Sequence, residues 1–195
     1  SVIGCTPMQL VISRGNLDVT KFIVDKDVAV LNQKTLGGES YFHMAARLEN
    51  TLIAKLISEK TDIQDDLIYM VKNNEVQLFK SVLKDCSLAS VEFKELVVCS
   101  LSQMNEAIAV MCLDRIANFV DLFKHLVATQ SVELISNLVN LKPEMFSKRF
   151  LDDELETFAE GSKEHRVIKE VMQIQFGFEM DEAADILAAV DIDMA

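Results

Sequence analysis

A pattern that recurs after 34 residues constrains this chain more than any other feature of its sequence. Thr6-Pro7 opens the first copy and Ser40-Tyr41 opens the second, 34 positions later (40 − 6). In each copy, a short run of apolar residues at helical spacing is followed by a polar turn and a second such run. A period of this length with two helices per copy is typical of stacked-repeat proteins. Each helix pair has too little apolar surface to bury alone, so neighbouring pairs are expected to pack on it.

The first copy carries the local signals for a helix pair. Thr6 is a good N-cap, and Pro7 suits the first helical position because its φ is already fixed. Gly15 can adopt the left-handed conformation that ends a helix, and Asn16 can cap the next one. The sequence therefore predicts two antiparallel helices separated by a tight turn at Gly15.

These signals resemble the ankyrin repeat, whose helix pair begins with the pattern Thr-Pro-Leu-His-x-Ala. The first copy keeps Thr6 and Pro7 but has Gln9 at the histidine position. The second copy has lost Thr-Pro but keeps His43 and Ala45. The two copies thus complement each other's departures from the family pattern.

The resemblance implies an all-α fold, an ankyrin-type solenoid of stacked helix pairs. It implies a short β-hairpin-like finger at residues 32–39, where Gly37 and Gly38 suit a tight turn. It also implies a structural role for His43, with its ring hydrogen-bonded to neighbouring backbone turns. Glu49 stands where glycine is usual between the two helices, so that turn should be less ideal.

Four more divergent helix pairs are predicted after residue 62. The apolar positions of the third pair lie 25 residues after those of the second (59 − 34), so the finger there shortens to a plain turn. The fourth and fifth pairs are predicted at Glu95–Leu113 and Asp121–Val139. A sixth, charged as a terminal repeat requires, is predicted at Glu154–Phe158 and Glu164–Met172. These later pairs either continue the stack or form a separate helical domain docked on its end.

An acidic segment ends the chain. We expect a repeat array over residues 1–178, followed by residues 179–195, which carry six carboxylates and no Lys or Arg. This segment is either a final amphipathic helix packed on the last repeat or a mobile motif that docks on a partner.

Charge and hydropathy argue against two classes of partner. The net charge of −12 argues against nucleic acid and anionic membranes, because phosphates are bound by Lys and Arg. No apolar run approaches the roughly 18 residues that a membrane span needs. Because the chain starts at Ser1, almost directly on a repeat and without an initiator Met, we expect an excised domain or a processed or trimmed chain. We expect a monomeric domain inside the cell, in the cytoplasm or nucleus, or in the host cytosol if it is a secreted effector.

The residues that carry chemistry form no recognisable catalytic or metal-binding motif. The four cysteines, at positions 5, 86, 99 and 112, lack Cys-x-x-Cys spacing and are expected to be reduced and mostly buried. There is no Gly-rich phosphate loop. We therefore expect no enzymatic activity, no cofactor and no metal. The alternatives are an enzyme with a Cys–His pair in the divergent C-terminal half and a structural spacer.

The remaining interpretation is protein–protein interaction, as a scaffold or adaptor; a pathogen effector that acts on host proteins is one form of such a module. By resemblance, the finger and the first helix of each pair line a concave surface that binds a partner protein. Four cations make this surface less acidic than the whole chain, which favours an acidic or polar peptide segment. The predicted contact residues are Cys5, Ser13, Arg14, Gln33, Lys34, Leu36, Glu39, Arg47, Leu48, Lys72, Asn73, Ser102 and Gln103.

Overall fold

The computed structural model describes residues 5–35 and 37–176 of the chain. Leu36 of the predicted finger and the acidic segment 179–195 lie outside the described residues. Within them, the chain forms twelve α-helices and two short 3-10 helices, and no strand. The helices are α1 (Pro7–Ser13), α2 (Leu17–Lys26), α3 (Tyr41–Arg47), α4 (Thr51–Ser58), α5 (Gln64–Lys72), α6 (Val76–Asp85), α7 (Phe93–Ser102), α8 (Glu106–Leu113), α9 (Phe119–Ala128), α10 (Val132–Leu141), α11 (Lys148–Leu155) and α12 (Lys163–Phe176). The 3-10 helices are Val28–Asn32 and Pro143–Met145. The prediction of an all-α fold is therefore confirmed for this part of the chain.

In each of five helix pairs, from α1–α2 to α9–α10, the same kind of turn joins the first helix to the second. In each turn the residue that follows the helix C-cap has a positive φ, between 54° and 62°. These residues are Gly15, Glu49, Asn74, Met104 and Gln130. In each, the backbone N–H of that residue donates to the carbonyl three positions earlier, as in the left-handed C-cap that lets a helix reverse direction. The left-handed residue therefore gives a common register for comparing the five pairs.

This register supports the predicted position of the third pair. The left-handed residues of the second and third turns, Glu49 and Asn74, are 25 positions apart (74 − 49), as predicted from the apolar residues. The spacing from Gly15 to Glu49 is 34 positions (49 − 15), as it is between the first two sequence copies. The number of residues between one helix-turn-helix unit and the next therefore varies, while the unit itself is kept.

The chain divides into two compact units, residues 1–116 and 117–195. In the first unit, first helices contact each other (α1 with α3, α5 with α7), and so do second helices (α2 with α4, α4 with α6, α6 with α8). Equivalent positions of the first helices are buried in all four pairs. They are Met8, Phe42, Leu67 and Val97, and, one turn later, Ile12, Ala46, Val71 and Leu101. The apolar surface that one pair cannot bury is thus covered by its neighbours.

The second unit is built around a cluster of phenylalanines. Phe123 packs edge-on against Phe146 and Phe150, with ring centroids 5.7 and 5.3 Å away. Phe119 packs on both of the same rings. Helix α12 contacts α9, α10 and α11, which completes the core of this unit.

The predicted first helix of the sixth pair was misplaced. Helix α11 spans Lys148–Leu155, whereas the prediction began at Glu154. The physical reason is the cap: the Ser147 hydroxyl accepts a hydrogen bond from the Phe150 N–H at 3.1 Å, so the helix starts there. The second helix, predicted at Glu164–Met172, is present as α12.

The segment predicted as a finger contains one isolated antiparallel bridge, between Lys34 and Ser40. The Thr35 N–H donates to the Glu39 carbonyl at 2.8 Å, and Gly38 has a φ of 82°. The described residues form no strand here, so a β-hairpin finger is not confirmed.

Candidate functional site

The predicted contact residues on the first helices occupy equivalent positions. On each of the first helices of the first four pairs, the two residues directly before the left-handed turn residue were predicted to contact a partner. All eight of these residues are exposed. They are Ser13 and Arg14, Arg47 and Leu48, Lys72 and Asn73, and Ser102 and Gln103. Each is the last residue of a first helix or its C-cap, so the four pairs present the same surface.

A second set of equivalent residues extends this surface and was missed by the sequence analysis. Three positions before each helix end lies an apolar or weakly polar residue that is exposed or half-buried. These residues are Leu10, Met44, Tyr69 and Cys99. Leu10 is 36% and Tyr69 is 52% exposed. Because residues three and four apart share a helix face, each of them lies beside the two terminal residues of its own helix.

We call the twelve residues at these three positions the first-helix strip. It contains three cations, Arg14, Arg47 and Lys72, and no carboxylate, although the whole chain has a net charge of −12. The strip is Leu10, Ser13, Arg14, Met44, Arg47, Leu48, Tyr69, Lys72, Asn73, Cys99, Ser102 and Gln103. An apolar row bordered by cations is suited to binding a partner that is both apolar and acidic.

Contacts across neighbouring pairs hold the first helices side by side. The Thr6 and Tyr41 hydroxyls are 2.7 Å apart, which links α1 to α3. The rings of His43 and Tyr69 meet edge-on at 5.0 Å, which links α3 to α5. Since α5 also contacts α7, the strip crosses four neighbouring helices.

The predicted contact residues outside the helices are placed differently. Cys5, Gln33 and Lys34 are exposed, in agreement with a contact role. Glu39 was also predicted to be exposed, but it is partly buried and binds Arg47 through both carboxylate oxygens, at 2.8 and 3.1 Å. The Arg47 hydrogen bond holds the pKa of Glu39 below its usual value, against the effect of burial. Glu39 therefore positions Arg47 and is not free to bind a partner.

His43 has a different environment from the one that the resemblance implied. Its ring is buried, and both ring nitrogens face carboxylates: Nδ1 lies 3.0 Å from Glu39 Oε1 and Nε2 lies 2.7 Å from Glu75 Oε2. The expected ties were to backbone turns. A neutral imidazole has one N–H and can donate to only one of the two carboxylates. Both contacts are hydrogen bonds only if one further proton is bound, either by the second ring nitrogen or by one of the carboxyl groups. In this arrangement, His43 links Glu39, two residues before α3, to Glu75, the N-cap of α6.

Two small cavities adjoin Lys34. One, of about 150 Å³, lies between Lys34 and Tyr69, and the other, of about 200 Å³, extends from Lys34 towards Ile57. Asp66 borders both and accepts a hydrogen bond from the Ser40 hydroxyl at 2.6 Å. Burial raises the pKa of Asp66. Both volumes are below the roughly 300–1,000 Å³ of typical small-molecule sites.

The cysteines were predicted to be mostly buried, but only Cys112 is buried; Cys86 and Cys99 are half-buried and Cys5 is exposed. Burial raises the pKa of Cys112 to about 12 and that of Cys86 to about 11. Thiolate is the reactive form, so neither thiol is activated at neutral pH. No hydrogen bond joins a cysteine to a histidine in the described ranges. In the same ranges, no group of three or more His, Cys, Asp or Glu side chains could hold a metal ion.

No protein-family profile matches this chain, and a search of curated proteins found no match either. No helix in the described part of the chain is both long and apolar enough to cross a membrane.

Proposed function

We propose that this chain is an ankyrin-type repeat module that binds a partner protein through the first-helix strip. The observation that carries the proposal is the repetition of one exposed surface on four successive helix pairs. Stacked-repeat proteins use surfaces of this kind because residues at equivalent positions form a continuous binding face. The strip also combines features of interaction sites, since it has an exposed aromatic residue and arginines beside apolar residues.

The helices that carry the strip are packed before a partner binds. Their buried residues and the polar links between pairs fix the spacing of the first helices. A surface that is already ordered loses little conformational entropy on binding, which favours affinity. In most interfaces a few central residues supply the larger part of the binding energy, and aromatic residues and arginine are frequent among them. Tyr69, which shares a helix face with Lys72, is therefore the expected anchor.

The proposal is tested with the double variant Leu10→Ser/Tyr69→Ser. We expect it to retain its helical circular dichroism spectrum, because both side chains are exposed, although the variant also loses the edge contact between Tyr69 and His43. The wild-type chain is used to capture a partner from cell lysate, and the partner is purified and its affinity measured by calorimetry. Loss of Tyr69 and Leu10 should weaken binding by about tenfold or more, as for anchors of an interface.

The matched control is Phe22→Ser/Leu52→Ser, which removes two exposed apolar side chains from second helices. These residues are 63% and 65% exposed, so general surface hydrophobicity falls by a comparable amount. The control should bind as the wild type does. Equal affinity of the wild type and the strip variant would overturn the proposal, as would an equal loss in both variants.

A further inference from the structure

The first-helix strip differs in charge from the chain that carries it. It holds Arg14, Arg47 and Lys72 and no carboxylate, in a protein with 31 acidic and 19 basic residues. Each of the first three pairs contributes one of these cations, at the end of its first helix. Three carboxylates lie beside the strip without belonging to it: Glu49 is in the second turn, and Glu39 and Glu75 both interact electrostatically with Arg47. The positive charge that favours a negatively charged ligand is therefore that of Arg14 and Lys72, even though the whole chain repels such a ligand.

The three cations are available to different degrees. Arg14 and Lys72 form no salt bridge within the described residues. Arg47 is held by Glu39, and its side chain is 52% exposed. A carboxylate that approaches the strip therefore meets two unpaired cations and one that is already oriented. Arg14 and Lys72 should contribute most to the attraction, since neither has an acidic partner to displace.

The spacing of the cations sets the form of the ligand. Neighbouring packed helices are about 8–10 Å apart, so the helix ends that carry the cations of successive pairs are separated by roughly that distance. An extended peptide advances about 3.3 Å per residue and reaches the next helix after about three residues. The apolar row from Leu10 to Tyr69 runs alongside, so side chains between the acidic ones can pack on it.

We propose that the strip binds an extended acidic segment of a partner protein, in which carboxylates recur at about every third residue with apolar residues between them. The segment crosses the first helices of the first three pairs. Its carboxylates face Arg14, Arg47 and Lys72, and its apolar side chains contact Leu10, Met44 and Tyr69. This inference rests on the proposed function and adds the chemistry of the partner.

The experiment uses a fluorescent peptide of about twelve residues that repeats Asp-Leu-Ser, so that one carboxylate falls every third position. A second peptide has the same composition with its aspartates grouped at one end, and a third replaces Asp with Lys. Binding to the full chain is followed by fluorescence anisotropy. The evenly spaced acidic peptide should bind best, the grouped peptide more weakly and the basic peptide not at all. Added salt should weaken the binding, because exposed charges are screened.

The variant Arg14→Glu/Lys72→Glu should weaken binding of the acidic peptide by about tenfold relative to its control, because two attractions become repulsions. The control Lys21→Glu/Lys80→Glu changes the net charge by the same amount on exposed residues of second helices. Because all four side chains are exposed, the circular dichroism spectra should coincide.

Three results with a peptide that binds would overturn the inference, and so would failure of the peptide to bind. The first is an equal loss in both variants, which would mean that only net charge matters. The second is equal binding of the acidic and basic peptides. The third is tighter binding of a single-stranded oligonucleotide than of the acidic peptide, which would assign the strip to nucleic acid. If the peptide fails to bind but capture of a protein still depends on Leu10 and Tyr69, the inference fails and the proposed function stands. If that dependence is also absent, both fail.

Discussion

The two units of the molecule hold their helices together in different ways. In residues 1–116, polar side chains join each helix pair to the next. Asn50 Nδ2 donates to the Ile12 carbonyl at 2.7 Å, and Asn105 Nδ2 donates to Asn74 Oδ1 at 3.0 Å. In residues 117–176, the phenylalanine cluster lies at the centre of the packing. A polar contact there, between Lys124 and Glu154, measures 3.4 Å and leaves a buried Glu154 oxygen without a hydrogen bond.

This difference bears on what each unit can do. Hydrogen bonds are directional, so polar links between pairs specify the register of one pair on the next as well as its distance. Apolar contacts are non-directional and specify that register less strictly. A surface repeated at equivalent positions needs the first kind of packing. It is therefore consistent that the first-helix strip lies in the unit whose pairs are joined by polar links.

The largest expected effect comes from removing the centre of the phenylalanine cluster. Phe123→Ala removes a fully buried ring that packs on two others, and such changes cost about 3–5 kcal/mol. Hydrogen exchange read by mass spectrometry should show loss of protection in residues 117–176, with residues 5–116 protected as before. Phe22→Ala, at an exposed ring, should leave both units protected. Equal loss in the two units would contradict their independence.

A smaller effect is expected from a polar link of the first unit. Asn50→Ala removes the donor to the Ile12 carbonyl and leaves that carbonyl without its side-chain partner. The bond is partly buried and the Ile12 carbonyl still accepts from the Gly15 N–H, so loss of the bond should cost about 0.5–1.5 kcal/mol and lower the urea midpoint by the corresponding amount. The control is Asn73→Ala, because the Asn73 amide bonds only within its own helix, to the Tyr69 carbonyl. If both variants lose the same stability, the link between pairs has no special role.

One polar link of the first unit, from the Ser40 hydroxyl to Asp66, involves a carboxylate whose charge destabilises the fold. Burial raises the pKa of Asp66, so the folded chain binds this proton more tightly than the unfolded chain does. The resulting stabilisation is present below the unfolded pKa and is lost as the pH rises through the folded one. Asp66→Asn keeps an acceptor for Ser40 and removes the buried charge. It should raise Tm at neutral pH, and the difference from the wild type should disappear near pH 3, where the wild-type carboxyl is protonated. A lower Tm at neutral pH would mean that the charge is needed.

The sequence predicted local features well and contacts between pairs poorly. Thr6, Gly15 and Asn16 have the capping roles that their residue types indicate, because caps depend on neighbours three or four positions away. The apolar row of the strip was missed because its members belong to different helices. Their adjacency depends on how the pairs pack.

The surroundings of His43 were missed for a similar reason. Glu39 lies one helical turn before it and could have been paired with it by its spacing. Glu75 lies 32 positions away (75 − 43), and nothing in the local sequence brings it to the ring. The resemblance indicated a structural histidine but not its carboxylate partners.

The smallest expected effect comes from the feature that the two units share, the left-handed turn residue. Met104, in the first unit, and Gln130, in the second, have φ values of 54° and 56°. A left-handed conformation costs a residue with a side chain about 1–2 kcal/mol, and glycine avoids most of that cost. Glycine also loses more entropy on folding, which offsets part of the gain. Met104→Gly and Gln130→Gly should therefore each raise the free energy of unfolding by about 1 kcal/mol or less.

At the first turn the left-handed residue is already a glycine, Gly15, so the opposite substitution can be made there. Its φ is 62°, and a Cβ added there would lie 3.0 Å from Asn50 Oδ1. Gly15→Ala should therefore destabilise the chain through both backbone strain and a disturbed link to the second pair. Calorimetric scans of all three variants test this set. If glycine stabilises at 104 but destabilises at 130, the two units do not share one turn design, because the same backbone conformation should respond to the same change in the same direction.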